Sequence, residues 1–239
     1  MSLDVGAAWT AVSTSPLLGL VLTLGAYQVG RWLWLRSGNH PLVNPVLIAI
    51  VIVGAVLWAV DVDYDSYMEG GSVVALLLGP ATVALAWPLH LERTLVRRAA
   101  IPILLGVTAG SGVAIVVAVL ATRLLGGGEE LALAMAPKST TTPVAIALSQ
   151  TIGGVPALTA VLTILTGILG AVAGPRLLTL MRVRDKVVRG LAVGVSAHGI
   201  GTAQMIHESR TEGAFSGLAM ALTALATSVW LPVLVPLLD

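Results

Sequence analysis

The chain has no cysteine among its 239 residues, which excludes disulfides, thiol chemistry and thiolate metal ligation. Charge is scarce. Lys and Arg number 13 and Asp and Glu 12, so only 10% of the chain is charged. A soluble domain of this length needs more charge to stay solvated, and the near-neutral balance of +1 identifies no polyanionic or polycationic partner. No phosphate-cradling glycine loop, nucleophilic triad or His/acid metal cluster is readable. That argues against an enzyme, a cofactor, a metal and nucleic-acid binding. The N-terminus lacks a basic segment before the first apolar stretch, so no cleavable signal peptide is expected.

What is present is apolar. Hydrophobic residues make up 56% of the chain, and mean hydropathy is +0.95. Lys, Arg, Asp and Glu are absent from 5–30, 41–60, 70–89, 99–122, 139–175 and 213–238. A membrane span needs about 20 predominantly apolar residues, so most of these gaps fit one span. The runs are continuous rather than alternating, which argues against a β-barrel. The expected fold is one all-α polytopic membrane domain over 1–239. Its segments fall near 13–31, 44–60, 70–89, 99–120, 131–151, 156–178, 187–206 and 214–237. Connections are short.

Basic residues orient such a chain, because Lys and Arg accumulate in short cytoplasmic loops. Arg31 and Arg36 follow the first segment, and Arg93, Arg97 and Arg98 follow the third. Arg176, Arg182, Arg184, Lys186 and Arg189 lie between the sixth and seventh. Eight crossings would put the last group outside. One non-crossing segment removes the conflict, and the fifth is the natural choice. The expectation is therefore about seven crossing helices plus one re-entrant or broken segment, in the plasma membrane. The N-terminus would lie outside and the C-terminus in the cytoplasm. The third and seventh segments would run in opposite directions with glycine-marked breaks. That suggests inverted repeats with broken helices, in halves of about 13–125 and 130–239.

The fifth segment holds Pro137-Lys138-Ser139-Thr140-Thr141-Thr142-Pro143. A cation near mid-bilayer costs about 2.5–3.5 kcal/mol on insertion scales. Pro137 and Pro143 remove helical donors beside it. An anionic ligand would offset the cost at Lys138, with Ser139, Thr140, Thr141 and Thr142 binding its oxygens. A snorkelling lysine and helix-capping hydroxyls are the plainer alternatives. His198 lies among Gly194, Gly199 and Gly201, with Thr202 one turn on. It reads either as a proton carrier or substrate donor, or as a buried ring satisfied by backbone carbonyls. Gly79 and Pro80 mark a third break. Glu208 and Glu212 read first as solvated loop charges, with Glu212 a second candidate for proton coupling. Asp61, Asp63 and Asp65 lack the glycine and terminal acid of a calcium loop.

Several motifs together resemble the LrgB/CidB family. They are Leu78-Gly79-Pro80-Ala81, Pro137 to Pro143, Ile152-Gly153-Gly154-Val155-Pro156, Ser196-Ala197-His198-Gly199-Ile200-Gly201-Thr202 and Glu212-Gly213-Ala214-Phe215-Ser216-Gly217. The resemblance covers most of the chain from about Asn44 onward. It implies a bacterial plasma-membrane protein, described either as an antiholin-like modulator of murein hydrolase activity or as a relative of the plant plastid glycolate/glycerate translocator. Bacterial relatives are linked to pyruvate or lactate movement. From this the expected function is a carrier for small monocarboxylates. The alternative is an antiholin-like regulator acting with a small LrgA/CidA-like partner. The expected partners are the lipid bilayer and a small carboxylate, with a homo-oligomer left open.

Overall fold

A computed structural model describes residues 15–38, 43–77, 80, 83–84 and 86–238. The described residues are helical, with no strand among them. The chain divides into two compact units, Met1–Ala84 and Leu85–Asp239.

The first unit holds α1 (Pro16–Arg36), α2 (Pro45–Ala59) and α3 (Tyr64–Leu76). Each helix begins at a polar residue that satisfies orphan amides. Ser15 accepts from Leu17 N–H, and Asn44 accepts from Val46 and Leu47. Asp63 Oδ1 accepts from the Asp65 and Ser66 amides. The Ser66 hydroxyl donates to Asp63 Oδ2 at 2.6 Å. That hydroxyl first, and then the Ser66 amide, hold the Asp63 carboxyl below its usual range. α1 and α3 meet at glycine, since a Cβ on Gly70 would overlap the Pro16 carbonyl. Close small-residue contact is how helices associate where lipid removes the hydrophobic drive. Gly79 and most of the expected third-segment break lie outside the described residues, and Pro80 is exposed.

The second unit carries two short helices, α4 (Ala86–Leu91) and α5 (Arg93–Arg98), and then the membrane-grade elements. These are α6 (Ala100–Leu124), α7 (Glu129–Met135), α8 (Thr142–Thr151), α9 (Pro156–Leu180), α10 (Lys186–Glu208) and α11 (Arg210–Leu238). Among the described residues, α6, α9 and α11 are long and apolar enough to cross a bilayer. Their polarity is inside out. Val161, Leu165 and Leu169 on α9, and Leu225, Val229, Val233 and Leu237 on α11, recur every four residues and are exposed. Thr159, Thr163, Ser216, Thr223 and Thr227 on the same helices are buried. A four-residue spacing keeps one helix face, so the apolar face is offered to lipid and the hydroxyls face protein.

α7 and α8 form a hairpin. The chain turns through 136–140, and the end of α8 returns to the level of α7. A Cβ on Gly154 would lie 3.3 Å from the Leu133 carbonyl carbon. Ala132 and Ala136 pack with Ile115 and Val119 of α6 and Leu231 and Val235 of α11, with Leu148 and Ile152 of α8 against them. This hairpin therefore sits beside the C-terminal halves of α6 and α11. The fifth segment is thus broken into two helices joined by a turn.

The seventh segment departs from expectation. It was expected to cross, but α10 folds back at His198, whose backbone is non-helical at φ 41, ψ −136. A Cβ on Gly201 would lie 2.8 Å from Val193 Cγ1, a pair eight residues apart in sequence. A straight helix would separate them by about 12 Å. Ser216 touches both arms: its carbonyl would overlap a Cβ on Gly194, and its hydroxyl is 2.9 Å from that of Thr202. The hairpin packs against Ile103 and Val107 of α6 and Phe215 and Ala219 of α11, the N-terminal halves of the same two helices. The two hairpins thus enter from opposite ends. α6 with the first hairpin and α9 with the second form two helix-then-hairpin units running in opposite directions.

Candidate functional site

The tip of the second hairpin rests on the middle of α9. His198 Nε2 is 2.9 Å from the Thr163 carbonyl oxygen. A carbonyl only accepts, so Nε2 carries the proton and donates. A Cβ on Gly167, one turn further, would lie 2.5 Å from His198 Cε1, so the glycine makes room for the ring. The first hairpin reaches the same level. Thr159 of α9 donates to Ser149 Oγ at 2.7 Å, and α8 runs antiparallel to α9 from there. Seven residues of helix, about 10 Å, lead from Ser149 back to Thr142 and from Thr159 on to Thr166.

Three hydroxyls at this depth are buried and have no hydrogen-bond partner. They are Thr140 Oγ1 in the first tip, Thr163 Oγ1 on α9 and Thr223 Oγ1 on α11. Thr223 stands one turn beyond Met220, whose sulfur would be 3.7 Å from a Cβ on Gly199. A buried hydroxyl without a hydrogen-bond partner costs about 1–3 kcal/mol. Lys138 is partly buried, and among the described residues no carboxylate lies within ion-pairing distance of its ammonium. His198 adds strain. A positive φ on a non-glycine residue costs on the order of 1–3 kcal/mol and recurs at functional sites.

The other expected residues are placed as follows. Pro137 and Ser139 are buried in the first tip, while Thr142 is half-buried and Pro143 exposed. Thr141 occupies the cap position of α8 without making a side-chain cap bond. Thr202 is engaged, donating to the His198 carbonyl and sharing a hydrogen bond with Ser216. Gly199 and Gly201 follow the kink directly.

Glu212 is not a solvated loop charge. It is 5% exposed and pairs with Arg189 Nε at 3.2 Å. Arg189 also donates to Thr179 Oγ1 and the Val183 carbonyl, joining the bases of α9, α10 and α11. Gly190 packs on the Glu212 carbonyl, so this pair lies about 12 Å along the arm from His198. Sequence reasoning missed Thr163 and Thr223. Their signal was a hydroxyl at four-residue spacing opposite an apolar stripe, as in Thr159 and Thr163 against Val161 and Leu165.

With this geometry in place, comparison with known proteins decides the family. The profile described as the LrgB-like family matches residues 23–237. This chain belongs to the LrgB-like family. Among its relatives, YwbG of Bacillus subtilis is 37% identical over 88% of this chain and 93% of its own. A Staphylococcus epidermidis protein named "Holin-like protein CidB" is 32% identical over 92% of this chain and 95% of its own. One of Bacillus mycoides named "Antiholin-like protein LrgB" is 29% identical over 95% and 98%. No solved structure matches this LrgB-like chain.

Proposed function

We propose that this LrgB-like protein is a membrane carrier for small monocarboxylates of the glycolate, glycerate, lactate and pyruvate class. What supports the reading is the second hairpin tip seated on α9, buried hydroxyls without partners in the first tip, on α9 and on α11, and a lysine without an ion pair in the first tip. Helix breaks near the midplane and cations facing an interior are the features from which carriers build anion sites. Lys138 would neutralise the carboxylate. Thr140, Thr163 and Thr223 would donate to its oxygens and to a substrate hydroxyl. With Nε2 held by Thr163, only Nδ1 of His198 is left to face the ligand. The test is counterflow of two- and three-carbon acids into proteoliposomes holding this chain alone. Lys138→Ala is expected to abolish uptake with insertion intact, and unchanged counterflow rejects the role.

A second reading has its own support. The relatives' names, holin-like and antiholin-like, favour a regulator of lysis working with a small membrane partner, and they favour it over a carrier. That reading predicts lysis phenotypes independent of small acids. Thermal stabilisation of the purified protein by small carboxylates separates the two.

Orientation belongs to the same proposal. Arg93, Arg97, Arg98, Arg176, Arg182, Arg184, Lys186 and Arg210 flank the end where the second hairpin opens, and Arg123, Glu129 and Glu130 flank the other. The excess of Lys and Arg puts the first end in the cytoplasm. The fold-back at His198 then sends the C-terminus outside, the reverse of the sequence expectation. Within 86–238 the count becomes three crossings and two hairpins. Cysteines at Arg184 and Glu208 should be shielded from an impermeant label applied outside, and one at Leu237 should react. Labelling of Glu208 together with Arg184 from opposite sides would reject the fold-back.

A further inference from the structure

The base of the second hairpin carries more positive charge than its own pairing uses. A groove of about 670 Å³ has Arg176, Arg182 and Arg189 in its wall, with Glu208 at the edge. An adjoining recess of about 340 Å³ shares Arg182 and Arg189 and adds Arg184 and Lys186. Arg189 is committed to Glu212. Asp185 is occupied as the cap of α10, accepting from the Val187 and Val188 amides. Glu208 accepts from Gln204 at 3.2 Å. Among the described residues, Arg176, Arg182, Arg184 and Lys186 therefore stand around one depression with no ion pair. Leu177, Leu180 and Met181, beside the same groove, are exposed at 55%, 81% and 64%.

Cations set at the end of a crossing helix, with apolar side chains on the lipid side, match a phosphate group carried at headgroup depth. Arg guanidinium groups suit phosphate because they donate in a planar fork. We propose that this groove binds a phosphate-bearing anion, with an anionic lipid headgroup as the source that the apolar neighbours favour. The site is separate from the hairpin tips and holds whether or not the protein carries a substrate.

The experiment measures lipids retained by the purified full chain in detergent, using native mass spectrometry with phosphatidylglycerol and phosphatidylcholine in competition. Inorganic phosphate is titrated in a parallel arm. Preferential retention of phosphatidylglycerol assigns a lipid phosphate; displacement of that lipid by millimolar phosphate assigns the same site to a soluble one. Arg182→Gln with Arg184→Gln is expected to weaken the preference about fivefold per cation removed. Arg182→Lys with Arg184→Lys should restore part of it. Arg93→Gln with Arg97→Gln, at the same end but outside the groove, should leave it unchanged. No preference for either anion overturns the proposal, as does equal loss in the Arg93 and Arg97 variant. If the groove variants do not fold, salt decides on the unaltered chain: a preference that survives 0.5 M NaCl is not carried by these cations, where screening is down to roughly 4 Å.

Discussion

Thr163→Val is the sharpest probe of the tip geometry. The side chain is fully enclosed, its hydroxyl has no partner, and its carbonyl takes the His198 ring proton. Valine keeps the branched shape and leaves the backbone carbonyl in place, so the substitution removes the hydroxyl alone. A buried hydroxyl without a partner costs about 1–3 kcal/mol, and its removal should return part of that. With a shift of roughly 2–4 °C per kcal/mol for a chain of this size, Thr163→Val should melt about 2–6 °C higher without ligand. The same hydroxyl, if it donates to a bound carboxylate, contributes about 1.5–3 kcal/mol to holding it. Affinity should then fall by about tenfold to a hundredfold. The assay is thermal unfolding of purified protein with and without glycolate or pyruvate. A more stable variant that no longer responds to the acid is the expected result. A less stable variant would refute the reasoning, because the hydroxyl would then have a partner. Stabilisation by the acid equal to that of the unaltered chain would remove Thr163 from the site. Thr140→Val repeats the test from the opposite tip.

Two further predictions concern the hairpin base and the first unit. Glu212→Gln leaves Arg189 buried without its counter-charge and should cost about 3–5 kcal/mol, read as a lower melting temperature and faster amide exchange at 187–191. Arg189→Met combined with Glu212→Leu should recover most of that loss, and failure to recover would show that the charges do more than balance each other. The third prediction is pH dependence at Asp63. Its carboxyl is lowered, so its hold on the start of α3 is complete above the unfolded carboxylate value and is lost as pH falls through the lowered folded value. The Asp65 and Ser66 amide shifts should move with pH below about 4, and Asp63→Asn should flatten that response. A pH response that persists in Asp63→Asn would assign it to another group.

The breaks were readable because their residues cannot continue a helix unaided. Pro137 and Pro143 remove amide donors, and Lys138 is too costly at mid-bilayer to stand there without purpose. His198 stood out for the glycines around it. The fold-back there was not readable, since 187–206 has the length of a crossing and no proline or charge marks its tip. Nor was the Glu212 pairing. A glutamate next to a helix start looks solvated until the partner from another helix is in view.

By itself the sequence determined an all-helical membrane protein, its family, and the two places where helices give way to polar or glycine-rich chain. Those follow from local properties: hydropathy over twenty residues, missing donors, and the cost of one charge. Tertiary structure alone decided that the chain folds back at His198, that the two breaks pack against opposite halves of α6 and α11, and that the His198 ring rests on Thr163. The reason is that close contact, not hydropathy, selects the fold-back. Gly194 and Gly201 admit the neighbouring backbone only once Ser216 and Val193 arrive beside them, and nothing in a linear reading reports that arrival.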